Sequence, residues 1–155
     1  MFGLNMIVNK GKTVFIGDTS VHEYPTSEQL AEIAISASRV VRLFGFDPKV
    51  AFVSHSTFGQ PVTSRTKHIR SAVEILKEKK VDFKFDGDMQ PDVALSEEYN
   101  ELYPFSEIVG NANILIMPGQ HSAAISYKMM KTMSGAKVIG PLLISSKFVW
   151  LPTVL

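Results

Sequence analysis

Asn113-Ile114-Leu115-Ile116-Met117-Pro118-Gly119-Gln120-His121 is the stretch that decides the fold. Its first five residues form a near-continuous apolar run, which is typical of a β-strand covered on both faces of its sheet. The residues from Pro118 to Gln120 turn the chain into a predicted helix near His121, and Gly135 ends that helix. A buried strand that turns directly into a helix indicates an α/β protein.

The same alternation of strand and helix extends upstream. A predicted helix begins at Thr26, because Thr26 and Gln29 form a capping box, and it ends at Gly45. The elements predicted after it are a strand over 49–53, a helix over 64–80, a strand over 81–85, a turn over 86–88 and a short helix over 92–102. Helices and strands of this length suit one ordinary domain.

Strands are also predicted at both ends of the chain. The runs 4–8 and 13–17 form a hairpin around Gly11, and a strand over 137–139 is broken by Gly140-Pro141. Together these elements predict a three-layer αβα sandwich with a mostly parallel sheet, built from a single domain over 1–155.

Composition excludes several classes of protein. The 155 residues are 45% hydrophobic and 20% charged, with a formal net charge of +1, which is typical of a soluble globular protein and argues against a nucleic-acid binder. The absence of cysteine excludes disulfides and a cysteine nucleophile, and it favours the cytoplasm. No run reaches the eighteen or so apolar residues of a membrane span, so no membrane association is expected.

Five segments occur in a fixed order along nearly the whole chain. They are Pro25-Thr26-Ser27-Glu28-Gln29-Leu30-Ala31-Glu32-Ile33-Ala34, Lys49-Val50-Ala51-Phe52 with Ser54-x-Ser56-Thr57-x-Gly59, Asp86-Gly87-Asp88-Met89-Gln90-x-Asp92, Asn111-Ala112-Asn113-Ile114-Leu115-Ile116, and Ile139-Gly140-Pro141. In this order and spacing the sequence resembles the phosphate acetyl/butyryl transferase family. The resemblance implies a phosphotransacetylase-like domain whose subdomain is similar to that of isocitrate and isopropylmalate dehydrogenases.

Three further segments narrow the resemblance within that family. The segments 81–87, 103–105 and 117–123 are similar to the version of the domain that is fused behind bacterial malic enzymes. This resemblance implies a regulatory and oligomerisation domain of an NADP-dependent malic enzyme, with acetyl-CoA or CoA as effector and no acetyl transfer of its own. Its expected partners are a second copy of the chain, in a dimer, and the malic-enzyme catalytic region.

The oxidation and decarboxylation of malate is expected in an N-terminal region outside this chain. The reason is that the chain itself has no Gly-x-Gly-x-x-Gly dinucleotide fingerprint, and the resemblance implies that NADP and a divalent metal belong to that region. Phosphotransacetylases also carry a Ser-Arg pair and an Asp beyond the Gly-Pro segment, which this chain does not reach. We therefore expect a fragment of a larger two-lobed domain, inactive alone and without catalytic residues. The alternatives are a phosphate acetyltransferase and an interaction domain without a ligand.

The loop after the strand over 49–53 is the first candidate site. Ser54, Ser56, Thr57 and Gly59 lie between a strand and a helix, where backbone N–H groups can bind an anion. Arg65 and Lys67 follow closely and are predicted to bind a phosphate of CoA. In the alternative interpretation the hydroxyls cap the helix and the two cations are solvated.

A second candidate site follows the strand over 113–117. His121 and Ser122 lie at its strand-to-helix corner with Lys128 about two turns further on, but no carboxylate is spaced to orient His121. Asp86 belongs to an acidic group with Asp88 and Asp92, which either contributes to the family's cleft or forms turns. The four histidines show no metal-binding spacing, so no metal site is predicted.

Overall fold

The computed structural model describes residues 1–150 as strands and helices in the predicted alternation. The strands are β1 (Phe2–Asn9), β2 (Lys12–Gly17), β3 (Lys49–Val53), β4 (Lys84–Met89), β5 (Ile114–Ile116), β6 (Lys137–Ile144) and β7 (Val149–Trp150). The α-helices are α1 (Ser27–Leu43), α2 (Ser64–Lys79), α3 (Pro91–Leu95) and α4 (Gln120–Ser134), and a 3₁₀ turn covers Glu97–Tyr99. None of the helices within residues 1–150 has the length and apolar character needed to cross a membrane.

All seven strands form one sheet in the order β4-β3-β5-β2-β1-β6-β7. The pairs β4-β3, β3-β5 and β5-β2 are parallel, whereas β2-β1, β1-β6 and β6-β7 are antiparallel. The sheet is therefore mixed, and the expectation of a mostly parallel sheet is correct for one half of it. In the antiparallel half, the two-residue turn between β1 and β2 sets the direction of that pair, because such a turn can join only antiparallel strands.

Helices cover both faces of the sheet, which confirms the predicted α/β fold. On one face α1 and α2 pack through a cluster that includes Leu30, Ile69, Phe15 and Phe52. On the other face α3 and α4 pack through a second cluster with Ala51, Val53, Val93 and Ala123. Alternate residues of β3 point to opposite clusters, as the two-residue period of a strand requires. The capping box predicted at Thr26 is also confirmed, with Gln29 N–H donating to Thr26 Oγ1 at 3.1 Å.

Several predicted element boundaries are wrong. The helix expected over 92–102 ends at Leu95 and is followed by the separate 3₁₀ turn, and the strand expected over 81–85 begins only at Lys84. The turn expected at 86–88 lies inside β4, which is paired in parallel with β3 as far as Met89. This pairing requires glycine at position 87. The backbone φ there is +156°, and the Cβ of any other residue would lie 2.7 Å from Phe52 Cβ. Similarly, β6 continues through Gly140-Pro141, and a shift of register against β1 between Leu4 and Met6 accommodates that segment.

Candidate functional site

Three connecting segments meet at one edge of the sheet. Parallel strands β2, β3 and β5 all end there, and the chain continues into residues 18–25, 54–61 and 117–121. Backbone bonds join these segments across the edge, with Gln120 N–H donating to His22 O at 3.1 Å and Met117 N–H donating to Gly17 O at 2.8 Å. Ligands of open α/β sheets bind beyond the carboxyl ends of the strands, so this edge is the candidate binding site.

The loop 54–59 is tied down by a buried carboxylate. Asp88 is fully buried, and its carboxylate accepts hydrogen bonds from Ser56 Oγ and from Gly59 N–H, the latter at 3.0 Å. Its backbone carbonyl accepts a third bond from Phe58 N–H at 2.7 Å. A carboxylate without solvent needs such donors, because burying it unpaired would be costly. Asp88 and the loop are therefore one structural unit.

The candidate hydroxyls of this loop are buried and bonded within the chain. Ser54, Ser56 and Thr57 are 6%, 0% and 9% exposed. Thr57 Oγ1 accepts from Gln90 N–H at 3.2 Å, and Ser54 Oγ lies 3.2 Å from Ser56 Oγ. These hydroxyls do not cap α2, since that helix is capped by the side chain of Thr63. Their bonds hold the loop against the end of β4.

Arg65 and Lys67 do not form a pair. The Arg65 guanidinium lies 5.9 Å from the centroid of the Tyr24 ring and borders a cleft of about 360 Å³ at the carboxyl edge. Lys67 instead lines a separate groove together with Glu28, Glu74 and Glu78. The two side chains sit two residues apart on α2 and so point in different directions. Arg65 is the one of the two that lies at the edge described above.

His121 lies close to Tyr24. Its ring is nearly parallel to that of Tyr24, with 6.5 Å between the ring centroids and an angle of 21° between the planes. Its Nε2 is 2.9 Å from Glu23 Oε1, so a carboxylate does orient this ring, although sequence spacing gave no sign of one. We call Tyr24, Arg65 and His121 the Tyr24 shelf. It contains two candidate residues from separate parts of the chain.

Ser122 and Lys128 do not extend the shelf. Ser122 Oγ donates to Gly119 O at 3.2 Å, a bond within the first turn of α4. The Lys128 ammonium lies 5.9 Å from the ring centroid of its neighbour Tyr127. Both side chains therefore have local partners on α4.

The three carboxylates of the acidic group, Asp86, Asp88 and Asp92, each have a different hydrogen-bond partner. Asp88 is bonded to the loop, whereas half-buried Asp86 accepts from Gly87 N–H at 2.9 Å. Asp92 accepts from Tyr99 Oη at 3.0 Å, and this bond to a carboxylate raises the pKa of the Tyr99 phenol. Within residues 1–150 no three His, Asp or Glu side chains converge as a metal site would require.

Sequence reasoning missed a second buried carboxylate. Asp18, which is 1% exposed, accepts from Gly3 N–H at 2.7 Å and from His22 N–H at 2.8 Å. Its Oδ2 also lies 2.8 Å from His22 Nδ1, so it holds both the backbone and the imidazole of the connection after β2. In the sequence, this contact is indicated by the four-residue spacing of Asp18 and His22 within a polar connector.

Arg70 was missed as well. The Arg70 guanidinium packs against the loop at Gly59. The contact is so close that a Cβ on Gly59 would lie 2.6 Å from Arg70 Nη1. Arg70 also lines a cleft of about 440 Å³ with Phe58, Asp86 and Phe105. The cation beside the loop 54–59 is thus Arg70 rather than Arg65 or Lys67.

Comparison with known proteins places the chain in a family. The model of the phosphate acetyl/butaryl transferase family matches residues 1–147, and the chain belongs to this family, as the sequence resemblance predicted. A solved phosphotransacetylase from Streptococcus pyogenes has the same fold, with a TM-score of 0.87 at 29% identity over 91% of this chain and 44% of that one.

The relatives by sequence include two kinds of enzyme. The NADP-dependent malic enzyme of Rhizobium meliloti (strain 1021) is 46% identical over 144 residues, which are 93% of this chain and 19% of that protein. A phosphate acetyltransferase of Clostridium acetobutylicum is 37% identical over 131 residues, 83% of this chain and 39% of that protein. The chain thus spans about a fifth of the length of the malic enzymes that it matches.

Proposed function

We propose that this chain is part of the phosphotransacetylase-like domain of an NADP-dependent malic enzyme and serves its regulation and assembly, with acetyl-CoA or CoA as effector. The observation that carries the proposal is the 46% identity to a malic enzyme, against 37% to a phosphate acetyltransferase. The oxidation of malate, with its NADP and metal, would belong to a catalytic region outside this chain. The domain would work in the cytoplasm, where malate and acetyl-CoA are available.

The effector site in this proposal is the carboxyl edge of the sheet. Arg65 can donate two hydrogen bonds to a phosphate, and within residues 1–150 no carboxylate lies within 4 Å of its guanidinium. The amides and hydroxyls of the loop 54–59 are largely engaged with β4, so we assign this loop the role of shaping the edge. His121, whose ring centroid lies 6.5 Å from that of Tyr24, completes the candidate site.

Calorimetric titration of CoA and acetyl-CoA tests the effector site. Replacing Arg65 by Ala is expected to weaken binding at least tenfold, since a charge-assisted hydrogen bond contributes roughly 1.5–3 kcal/mol. Lys67→Ala is the matched control, because it removes the same charge two residues away from a different groove. Equal loss in both variants would reject the assignment of Arg65. Absence of CoA and acetyl-CoA binding by the unmodified chain would reject the effector itself.

Assembly is assigned to the outer face of α4. Ile125, Met129 and Met133 follow one another at four-residue spacing and are 59%, 56% and 82% exposed. An apolar stripe of this kind on a helix surface marks a protein interface, and a homodimer would cover it twice. Met129→Glu should therefore abolish self-association in sedimentation, whereas Met6→Leu, a change at a partly buried position, should leave it intact. A monomer at tens of micromolar for the unmodified chain would contradict assembly through this face.

Phosphate acetyltransferase activity is the second candidate, supported by the relative from Clostridium acetobutylicum. We expect the chain to form no acetyl phosphate from acetyl-CoA and phosphate. The buried loop hydroxyls would have to leave their hydrogen bonds before they could serve a reaction. Turnover clearly above background would promote this candidate. Self-association without CoA binding would instead favour the third, an interaction domain without a ligand.

A further inference from the structure

Tyr24 leaves much of its aromatic surface exposed. Its side chain is 71% exposed where it borders the cleft with Ser64, Arg65 and Pro118. Other rings, such as those of Phe15 and Phe52, are fully buried, so the fold has room for rings in its core. An exposed ring at a strand-end cleft is suited to contact with a ligand rather than to packing of the chain.

We propose that the Tyr24 shelf binds the nucleotide half of the effector, with the adenine ring on Tyr24 and His121 and a phosphate at Arg65. The site would then take adenine nucleotides as a class and would not distinguish acetyl-CoA from CoA. This inference rests on the proposed function in one respect, which is that CoA is the physiological ligand.

The geometry of the shelf suits a purine base. The Tyr24 and His121 rings are within 21° of parallel and their centroids are 6.5 Å apart, so a flat base can lie parallel to both rings. Bases stack on aromatic side chains and on arginine because every base has a π-face, and the contribution depends little on which base it is. The Arg65 guanidinium, 5.9 Å from the Tyr24 ring centroid, lies within reach of a phosphate attached to a stacked nucleoside.

Charge at the shelf also suits a phosphate. Glu23 is the carboxylate nearest to the rings, and its Oε1 is 2.9 Å from His121 Nε2. It is therefore engaged with the imidazole, while Arg65 has no carboxylate within 4 Å among residues 1–150. His68, which also lines the cleft, is held by Pro25 O at 2.8 Å and by Ser27 Oγ at 3.1 Å. Arg65 remains as the free cation of the described cleft.

The size of the cleft supports recognition of one half of CoA. Its volume of about 360 Å³ is at the lower end of the range for small-molecule sites, roughly 300–1,000 Å³. A nucleotide fills such a space, and the pantetheine arm with its thioester would extend beyond it. The side chains of the shelf match a base and a phosphate, and none of them is specific for an acetyl group.

The test is a calorimetric titration of the 155-residue chain with three probes, namely AMP, CoA and pantetheine. AMP and CoA should bind and pantetheine should not. Tyr24→Leu should weaken the binding of both AMP and CoA roughly tenfold or more, since it removes the stacking surface. Tyr24→Phe keeps the ring and should stay within about threefold of the unmodified chain. Thermal melts should show all variants folded, because Tyr24 is exposed.

Each outcome decides one of the two proposals. Failure of AMP to bind, or equal AMP affinity in Tyr24→Leu and the unmodified chain, overturns the nucleotide shelf. If pantetheine binds as tightly as CoA while AMP does not bind, the shelf is rejected and the CoA effector stands. If AMP binds and CoA does not, the shelf stands and the CoA effector is rejected.

Discussion

The loop 54–59 and the Tyr24 shelf lie at the same edge of the sheet and differ in what their polar groups contact. In the loop, Ser56 and Gly59 donate to the buried carboxylate of Asp88, so their hydrogen bonds are already made. On the shelf, Tyr24 is largely exposed and Arg65 has no carboxylate partner within residues 1–150. The difference separates residues that shape a site from residues that can bind a ligand.

Asp18 extends the comparison to a second loop. Like Asp88, it is buried at the end of a strand, and it accepts bonds from Gly3, Ser20 and His22. One buried carboxylate thus anchors the connection after β2, and the other anchors the connection after β3. Tyr24 lies in the first of these connections, so the exposed shelf is built on a segment that Asp18 fixes.

The largest expected effect is on stability, from Asp88→Ala. The substitution leaves Ser56 Oγ and Gly59 N–H buried without an acceptor, and each such group costs about 1–3 kcal/mol. We expect a loss of about 2–4 kcal/mol in the free energy of unfolding, measured by urea denaturation. Asp86→Ala on the same strand is the control and should cost under about 1 kcal/mol, because Asp86 is only partly buried. Equal losses would show that Asp88 does not anchor the loop.

Ser56→Ala should have a smaller effect of the same kind. It removes one donor from the Asp88 carboxylate but leaves the bond from Gly59 N–H in place, so a loss of about 1–2 kcal/mol is expected. The measurement is again urea denaturation, with nucleotide titration alongside. A variant that keeps full stability while losing nucleotide binding would reverse the roles assigned to the loop and the shelf.

Replacement of Lys67 by Ala should have the smallest effect. Lys67 lies in a groove with three glutamates, away from both the loop and the shelf. Stability should change by less than about 0.5 kcal/mol, and nucleotide affinity should be unchanged. A tenfold loss of affinity in calorimetry would show that the binding site extends along α2 beyond Arg65.

The parts of the fold that were predicted correctly depend on local sequence. Thr26 and Gln29 determine the start of α1 from three residues apart, and the run 113–117 contains β5. The wrong boundaries in β4 and β6 depend on pairing with distant strands. Gly87 is close to Phe52, and Pro141 lies where the register of β6 shifts against β1, which neither local pattern reveals.

In the candidate site, too, the features set by local sequence were predictable and the contacts between distant residues were not. The strand-to-helix corners were predictable because apolar runs followed by small and polar residues mark strand ends. The partners were not predictable, because Glu23 and His121 are 98 residues apart and Ser56 and Asp88 are 32 apart. The sequence therefore indicates which residues stand at the edge of the sheet, whereas the structure distinguishes bonded hydroxyls from free side chains.

In this proposal the ligand binds on the Tyr24 shelf and not in the loop 54–59. Backbone amide chemical shifts of the isotopically labelled chain, recorded while CoA is added, test it most directly. We expect the largest shifts in residues 22–25, 64–66 and 119–122, with the amides of Ser54, Phe58 and Gly59 nearly unchanged because they stay bonded to Met89 and Asp88. Largest shifts in the amides of 54–59, with those around Tyr24 unchanged, would contradict it.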